Sequence, residues 1–424
     1  MESEAVVQIP VPPPVRWICE VLRGGGYQAF VVGGGVRDAL LGRPVHDWDV
    51  ATDAPPDAVQ RLFPRTVPTG IEFGTVTVIV DSQAVQVTTF RSEGGYRDAR
   101  HPGWVTFGQR IEDDLMRRDL TVNALAYDPA TGRLVDPYGG KADLANKIIR
   151  TVGHPVARFQ EDALRLVRAV RLATELGFRL DGRTAAAVRC CAPRLVRVSR
   201  ERVGEEWRRL LAAPDAGRGL VLLYRTRLLP WVLPGAPKLE RIAVRRTASA
   251  LERLAAGDAA VKMAAVLYGL SSPEADAALL RSLVYSRQAS RQACHLAQCL
   301  RDFRRDAVQS DAALRRFLAR VGREHVPAFL ALWRAWQPLD PHRLGRDLDR
   351  WVERVLATGA ALSPGELAVD GTDIQQAGAV RPGPEVGALL TRLWEHVLEH
   401  PEDNTRERLL TLVKAWAREQ RCSG

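Results

Sequence analysis

Two aspartates separated by a single tryptophan, Asp47 and Asp49 in HDWDVAT, are the residues of this chain best suited to hold a cation. The segment has strand character, and alternate side chains of a strand share a face, so the spacing predicts two carboxylates about 6 to 7 Å apart along the backbone. Carboxylates so placed can bridge two Mg²⁺ ions roughly 3.5 to 4 Å apart, which activates an attacking hydroxyl and steadies a leaving pyrophosphate. Surface pairs of this kind are frequent, so the pair gains meaning from what precedes it. FVVGGGVRDALLG, residues 30–42, reads as a strand, a tight turn at Gly33, Gly34 and Gly35, and the start of a helix. Backbone N–H groups there can approach a phosphate that also faces the helix N-terminus. No GKS or GKT follows, so the turn is not a Walker A loop, and it lacks the full spacing of a dinucleotide fingerprint.

The elements that must position these residues follow from texture. A short Pro-rich leader, IPVPPPV, precedes a region to about residue 147 with β-branched alternating runs such as GTVTVIV and AVQVTTF, separated by Gly, Pro and Asp turns. From about residue 155 long Ala/Leu/Arg segments of helical period take over. The expected architecture is an α/β head, a mixed sheet with helices, followed by an extended all-α neck, body and tail. The expected boundaries are 1–15 for the leader, 16–147 for the head, 148–215 for the neck, 216–320 for the body and 321–424 for the tail. No repeat of fixed period supports a solenoid.

Composition narrows the partners. The 424 residues carry a formal charge of +10, with 60 Lys+Arg against 50 Asp+Glu. Up to Lys147 there are 15 basic and 19 acidic residues, so that region carries −4 and the remainder +14. An acidic region holding the aspartate pair beside a basic one suits an enzyme that grips a phosphate backbone in one place and metal in another; an Arg-rich proteome gives the same excess. Six cysteines with no paired CxxC spacing argue against a disulfide framework and against structural zinc. No apolar run approaches the roughly 18 residues of a membrane span, and no signal peptide is read, so the expected location is the cytoplasm, with no membrane partner.

One helical segment outside the head has chemistry. In EDALRLVRAVR, residues 161–171, a period of 100° per residue puts Asp162, Arg165, Arg168 and Arg171 on one polar ridge and Leu166, Val167 and Val170 on the opposite face. An Asp with an Arg three residues on supplies an acceptor and a fork of donors, which can mimic the Watson–Crick edge of a base. A solvated helix with internal salt bridges has the same pattern.

Taken in order, VVGGGVRDALLGRPVHDWDVAT, TGIEFGTVTV, VTTFRSEGGYRDARHP, EDDLMRRDLTVNALAYD, VDPYGGKADLANKIIRTVG, RFQEDALRLVRAVRLA and RERVGEEWRRLL resemble the bacterial class II tRNA nucleotidyltransferases, the CCA-adding enzyme and poly(A) polymerase family of the DNA polymerase β superfamily. These segments span about residues 28–211, and VDGTDIQQAG extends a weaker likeness toward the C-terminus. The resemblance implies addition of C, C and A to the 3′ end of tRNA from CTP and ATP, with two Mg²⁺ ions on Asp47 and Asp49. It implies that Gly34 and Arg37 hold the triphosphate and Arg118 contacts the nucleotide, with Gly33, Asp38, Asn123 and Glu161 in support. Asp162 and Arg165 would select the base, Arg168 and Arg171 would serve the nucleotide or primer end, and the helical body and tail would receive the acceptor and TΨC arms.

The loop GGYRDARHPGWV resembles the element that switches such enzymes from CTP to ATP. Two positions depart from the family pattern: Gln86 where a glutamate is usual, on a strand that could flank the aspartates, and Ala99 where glycine is usual. An A-adding enzyme or a poly(A) polymerase would share Asp47, Asp49 and the RRD segment, and a tRNA-binding protein on an inactive scaffold would require loss of Asp47 or Asp49.

Overall fold

The computed structural model describes residues 8–94, 104–254, 259–305, 308–339, 348–377 and 383–422. They form two compact units, one of Met1–Gly235 with Arg281–Val284, the other of Ala236–Leu280 with Tyr285–Gly424.

The first unit begins with α1 (Pro13–Gly24), β1 (Ala29–Val32), α2 (Gly34–Leu40), β2 (Asp49–Thr52), α3 (Pro56–Leu62), β3 (Thr66–Gly70), β4 (Thr75–Val80) and β5 (Gln83–Thr89). Then come β6 (Arg91–Gly94), β7 (Trp104–Phe107), α4 (Ile111–Met116), β8 (Ala126–Tyr127), β9 (Leu134–Val135) and α5 (Gly140–Ala145). Seven strands make one sheet in the order β3-β4-β5-β2-β1-β8-β9, while β6 and β7 form a separate antiparallel hairpin. Within the sheet only β2 and β5 run parallel, with Asp49 opposite Gln86 and Val50 opposite Val87.

Alternation along the strands divides the apolar residues between two faces. Val31, Val50, Val76 and Val87 pack with Ile18 and Leu22 of α1 and Val59 of α3. Phe30, Val32, Ala51 and Phe90 pack with Ile111 and Leu115 of α4. Asp49 is two residues before Ala51 and therefore points from the α4 face. Both faces being covered, the sheet is a rigid platform, and the functional turns emerge at the end of β1 and the start of β2.

Helices complete the unit: α6 (Pro155–Glu161), α7 (Leu164–Glu175), α8 (Gly182–Cys191) and α9 (Arg200–Ala212) are the ones that matter for the site. The periodicity had suggested one helix through residue 162. Instead α6 stops at Asp162, whose backbone is extended at φ −138° and ψ 108°. The Asp162 carboxylate accepts from the Leu164 N–H at 2.9 Å, a local side-chain bond that competes with helix continuation. Asp162 thus sits at a joint rather than on a ridge with the arginines.

The second unit is helical, its longest described helices being Arg287–Arg305, Pro384–Glu399 and Arg406–Cys422. Phe303, Phe317 and Phe329 meet at ring-centroid distances of 4.9 to 5.6 Å in its core, and Trp333 is buried. Val369, Ile374, Leu389, Leu393 and Val413 make a smaller cluster against which Trp394 and Trp416 pack. Among the described residues no helix is long and apolar enough to cross a membrane.

Candidate active site

Two glycines of the turn are required by its geometry. Gly33 has φ +77°, a conformation L side chains rarely adopt, and a Cβ there would meet the Arg118 guanidinium at 2.9 Å. A Cβ on Gly35 would meet the Asp47 carbonyl oxygen at 3.0 Å and the Trp48 ring at 3.1 Å, so this glycine lets α2 pack directly against the segment that carries the aspartates.

Asp49 opens β2, but Asp47 precedes the strand, so the two are not alternate residues of one strand as their spacing had suggested. Among the described residues no donor hydrogen-bonds either carboxylate. Burial pushes the Asp49 carboxyl above its ordinary range, the Asp47 charge pushes the same way, and Arg118 opposes both. A half-buried carboxylate with a like-charged neighbour and no hydrogen bond is a donor set suited to a hard divalent cation. Among the described residues no cluster of three or more His, Cys, Asp or Glu is placed to hold a metal, so a cation held by these carboxylates would need further oxygen ligands from outside the protein. Across the sheet Gln86 of β5 is exposed beside Asp49 and adds an amide, not a charge.

A chain of polar contacts runs from α2 to α7. Arg37 donates to Asp38 at 2.8 and 2.9 Å and to the Asn123 Oδ1 at 2.6 Å. The Asn123 amide donates to Asp119 at 3.2 Å, and Arg168 donates to the other Asp119 oxygen at 2.9 Å. Burial alone would raise the Asp119 carboxyl, but the Arg168 and Arg165 charges and the bonds from Asn123 and Leu120 outweigh it and hold it at about 2. Buried Asp114 on α4 anchors the neighbouring arginines, accepting from Arg117 at 2.6 Å and from Arg118 at 3.0 Å.

At the joint between α6 and α7, Asp162 accepts from Arg202 of α9 at 2.7 Å. Arg165 donates to Glu161 at 2.6 Å and to the Arg117 carbonyl at 3.1 Å. Each member of the Asp162/Arg165 pair is thus held by a countercharge of its own.

Of these groups the glycine turn, Arg37, Asp38, Asp47, Asp49, Arg117, Arg118, Asp119, Asn123, Asp162, Arg165 and Arg168 line one cleft of about 690 Å³, together with His46, Arg91, Arg171, Leu172 and Arg209, while Gln86, Asp114, Glu161 and Arg202 stand behind or beside it. Eight arginines and five aspartates face it, an excess of positive charge that suits a polyphosphate.

Comparison with known proteins identifies the family. Residues 29–150 match the poly A polymerase head domain, 177–240 a probable RNA-binding site of polymerase A, and 257–413 tRNA nucleotidyltransferase domain 2. The CCA-adding enzyme of Geobacillus stearothermophilus is 36% identical over 406 residues, covering 95% of this chain and 96% of that protein. The chain belongs to the CCA-adding enzyme family. The family member from Enterococcus faecalis is 34% identical over 411 residues, 92% of each chain. The crystal structure of the Bacillus stearothermophilus CCA-adding enzyme in complex with CTP superposes with a TM-score of 0.80 at 33% identity, over 98% of this chain and all of that one.

In this chain the motifs converge on one cleft. Gly33, Gly34, Arg37, Asp38, Asp47, Asp49, Arg118, Asn123, Asp162, Arg165, Arg168 and Arg171 all line it. Glu161 does not, and acts on the cleft through Arg165. Arg171 is 2% exposed and ion-paired with Glu206 and Glu175, which departs from the open ridge that periodicity suggested. Sequence reasoning missed Asp114, Asp119 and Arg202. Asp114 precedes the RRD arginines by three and four residues and was legible as their countercharge, whereas Asp119 and Arg202 lie 49 and 40 residues from their partners with no local signal. Ala99 and most of the proposed switching loop lie outside the described residues.

Proposed function

We propose that this chain adds C, C and A in order to the 3′ end of tRNA, taking CTP and ATP and releasing pyrophosphate. The observation that carries the reading is the shared cleft: the unpartnered carboxylates of Asp47 and Asp49, the glycine turn and the Asp162/Arg165 pair face one space. Divalent metal, for which Mg²⁺ in two copies is the proposed form, would be held by Asp47 and Asp49 and would supply activation of the tRNA 3′ hydroxyl and charge neutralisation at the leaving pyrophosphate.

The residues present do the remaining work. Gly34, at the start of α2, offers its backbone N–H to the triphosphate while the Gly33 N–H is held by the Leu125 carbonyl at 3.2 Å, and Arg37, oriented by Asp38 and Asn123, presents a guanidinium to it. Arg118, held by Asp114, screens the like charges of Asp47 and Asp49 and stands ready for the nucleotide. The carboxylate of Asp162 accepts from the exocyclic amine that cytosine and adenine share, while Arg165 donates to their ring acceptors. Arg168 faces the nucleotide or primer end from α7. Arg171 serves from beneath, keeping α7 and α9 in register. The division into head, neck, body and tail at residues 147, 215 and 320 belongs to this proposal, as do the cytoplasmic location and the acceptor and TΨC arms as the tRNA regions received by the helical portion.

Incorporation of labelled CTP into a tRNA transcript that ends at the discriminator base tests the proposal. Transfer by the wild-type chain that disappears in Asp47→Asn and Asp49→Asn, with tRNA binding retained, supports it. Absence of transfer by the wild-type chain refutes it.

A further inference from the structure

The carboxylate of Asp162 has fewer open positions than a free one. A carboxylate offers roughly four acceptor positions, two on each oxygen. On Asp162, Oδ1 takes the Leu164 N–H at 2.9 Å and a second, longer contact from Arg202 Nη1 at 3.4 Å. Oδ2 takes Arg202 Nη2 at 2.7 Å. One acceptor position remains, on Oδ2.

We infer that Arg202 is a positioning residue for base selection, which fixes the Asp162 carboxylate so that it presents a single acceptor toward the incoming base. The inference rests on the reading of Asp162 as the base-selecting carboxylate and adds a residue to it. Cytosine and adenine each offer an amino group to such an acceptor, whereas uracil and guanine offer a carbonyl oxygen at the corresponding edge. A carbonyl oxygen facing a fixed carboxylate has no proton to share and is repelled. A carboxylate free to turn can instead swing away from that oxygen, and discrimination weakens.

The placement of Arg202 supports this role. The Asp162 joint lies between α6 and α7, so its backbone is not held by a continuous helix, and the side chain needs an external tether. Arg202 stands in the first turn of α9, 25% exposed, against an Asp162 side chain 16% exposed. One turn further along α9, Glu206 pairs with buried Arg171 of α7. Helix α9 is therefore fixed to α7 below the pair, and the Arg202 fork approaches Asp162 from a rigid base. A planar guanidinium reaching both oxygens restricts rotation of the carboxylate in a way that a point charge cannot.

Steady-state kinetics of the full-length chain test this, using a tRNA transcript that ends at the discriminator base, with CTP and UTP as competing substrates. Arg202→Ala is expected to lower kcat/KM for CTP roughly 10- to 100-fold, chiefly through KM, and to lower the CTP-to-UTP selectivity roughly tenfold. Arg202→Lys keeps the charge without the fork and is expected to fall between Ala and the wild type. Equal losses for CTP and UTP, with selectivity unchanged, would show that Arg202 is a scaffold contact and would overturn the inference. If thermal unfolding shows that Arg202→Ala does not fold, Arg202→Lys decides: wild-type KM and selectivity would also overturn it. Failure of the wild-type chain to add cytidine would instead strike the CCA-adding reading itself, before any variant is compared.

Discussion

Asp49 stands directly opposite Gln86 in the parallel register of β2 and β5, so the position beside the carboxylate proposed to hold metal carries an amide on the neighbouring strand. Substitution Gln86→Glu would add a third carboxylate there. The Mg²⁺ concentration for half-maximal transfer is expected to fall several-fold, and the metal-free protein is expected to melt at a lower temperature because like charges then crowd one face. Titration of activity with Mg²⁺ and a metal-free melting curve check both; an unchanged Mg²⁺ requirement would show that residue 86 lies outside the coordination sphere.

Burial, with the Asp47 charge, raises the Asp49 carboxyl above its unfolded value. A raised folded pKa contributes stability below the unfolded pKa, and that contribution is lost as pH rises through the folded value. Asp49→Asn is therefore expected to melt no lower than the wild type at neutral pH without metal, and to lose the part of the pH dependence that lies just above the ordinary carboxylate range. Transfer should drop by roughly 10²-fold or more. A variant that is both inactive and markedly less stable at pH 7 would contradict a functional origin for the shift.

Asp119 behaves in the opposite sense. Its folded pKa of about 2 lies below the unfolded value, so its contribution is present above the ordinary carboxylate range and is lost as pH falls through about 2. Asp119→Asn removes the partner of Arg168, whose side chain is 40% exposed, so the cost after allowing for solvent screening is about 1 to 2 kcal/mol. Acid unfolding followed by circular dichroism should show the difference between variant and wild type shrinking below pH 3. A constant difference down to pH 2 would assign the stabilisation elsewhere.

Two of the three arginines of α7, Arg168 and Arg171, are expected to separate nucleotide binding from stability. Arg171 is buried between Glu206 and Glu175, so Arg171→Met is expected to destabilise by roughly 3 kcal/mol through the carboxylates left behind, with little change in KM for CTP once folded. Arg168→Ala should do the reverse, raising KM several-fold with a smaller loss of stability. Melting temperature and KM measured on both variants decide between this assignment and an equal role for the two side chains.

What the sequence revealed and what it hid follow from how local each feature is. Gly33, Arg37, Asp47 and Asp49 lie within 17 residues of one another, and their turn, helix start and strand are dictated by neighbouring residues. The alternating runs likewise became β4 and β5 because both faces of the sheet are covered. Periodicity misjudged Asp162 because one side-chain bond to the Leu164 N–H interrupts the helix without disturbing the apolar stripe on either side. It also misjudged Arg171, since a polar ridge gives no sign of the helix that will cover it. The charged partners of Asp119 and Asp162 come from 49 and 40 residues away and follow only from the packing of α7 and α9.

Primer extension on three tRNA transcripts, ending at the discriminator base, after one C and after CC, addresses the central claim most directly. Purified protein with Mg²⁺ is given CTP, ATP or both. Extension of all three to CCA with arrest after one A is the expected result, and it would also show that Gln86 is compatible with turnover. Extension of the CC-ended transcript alone, by ATP alone, would contradict the claim and make this an A-adding enzyme.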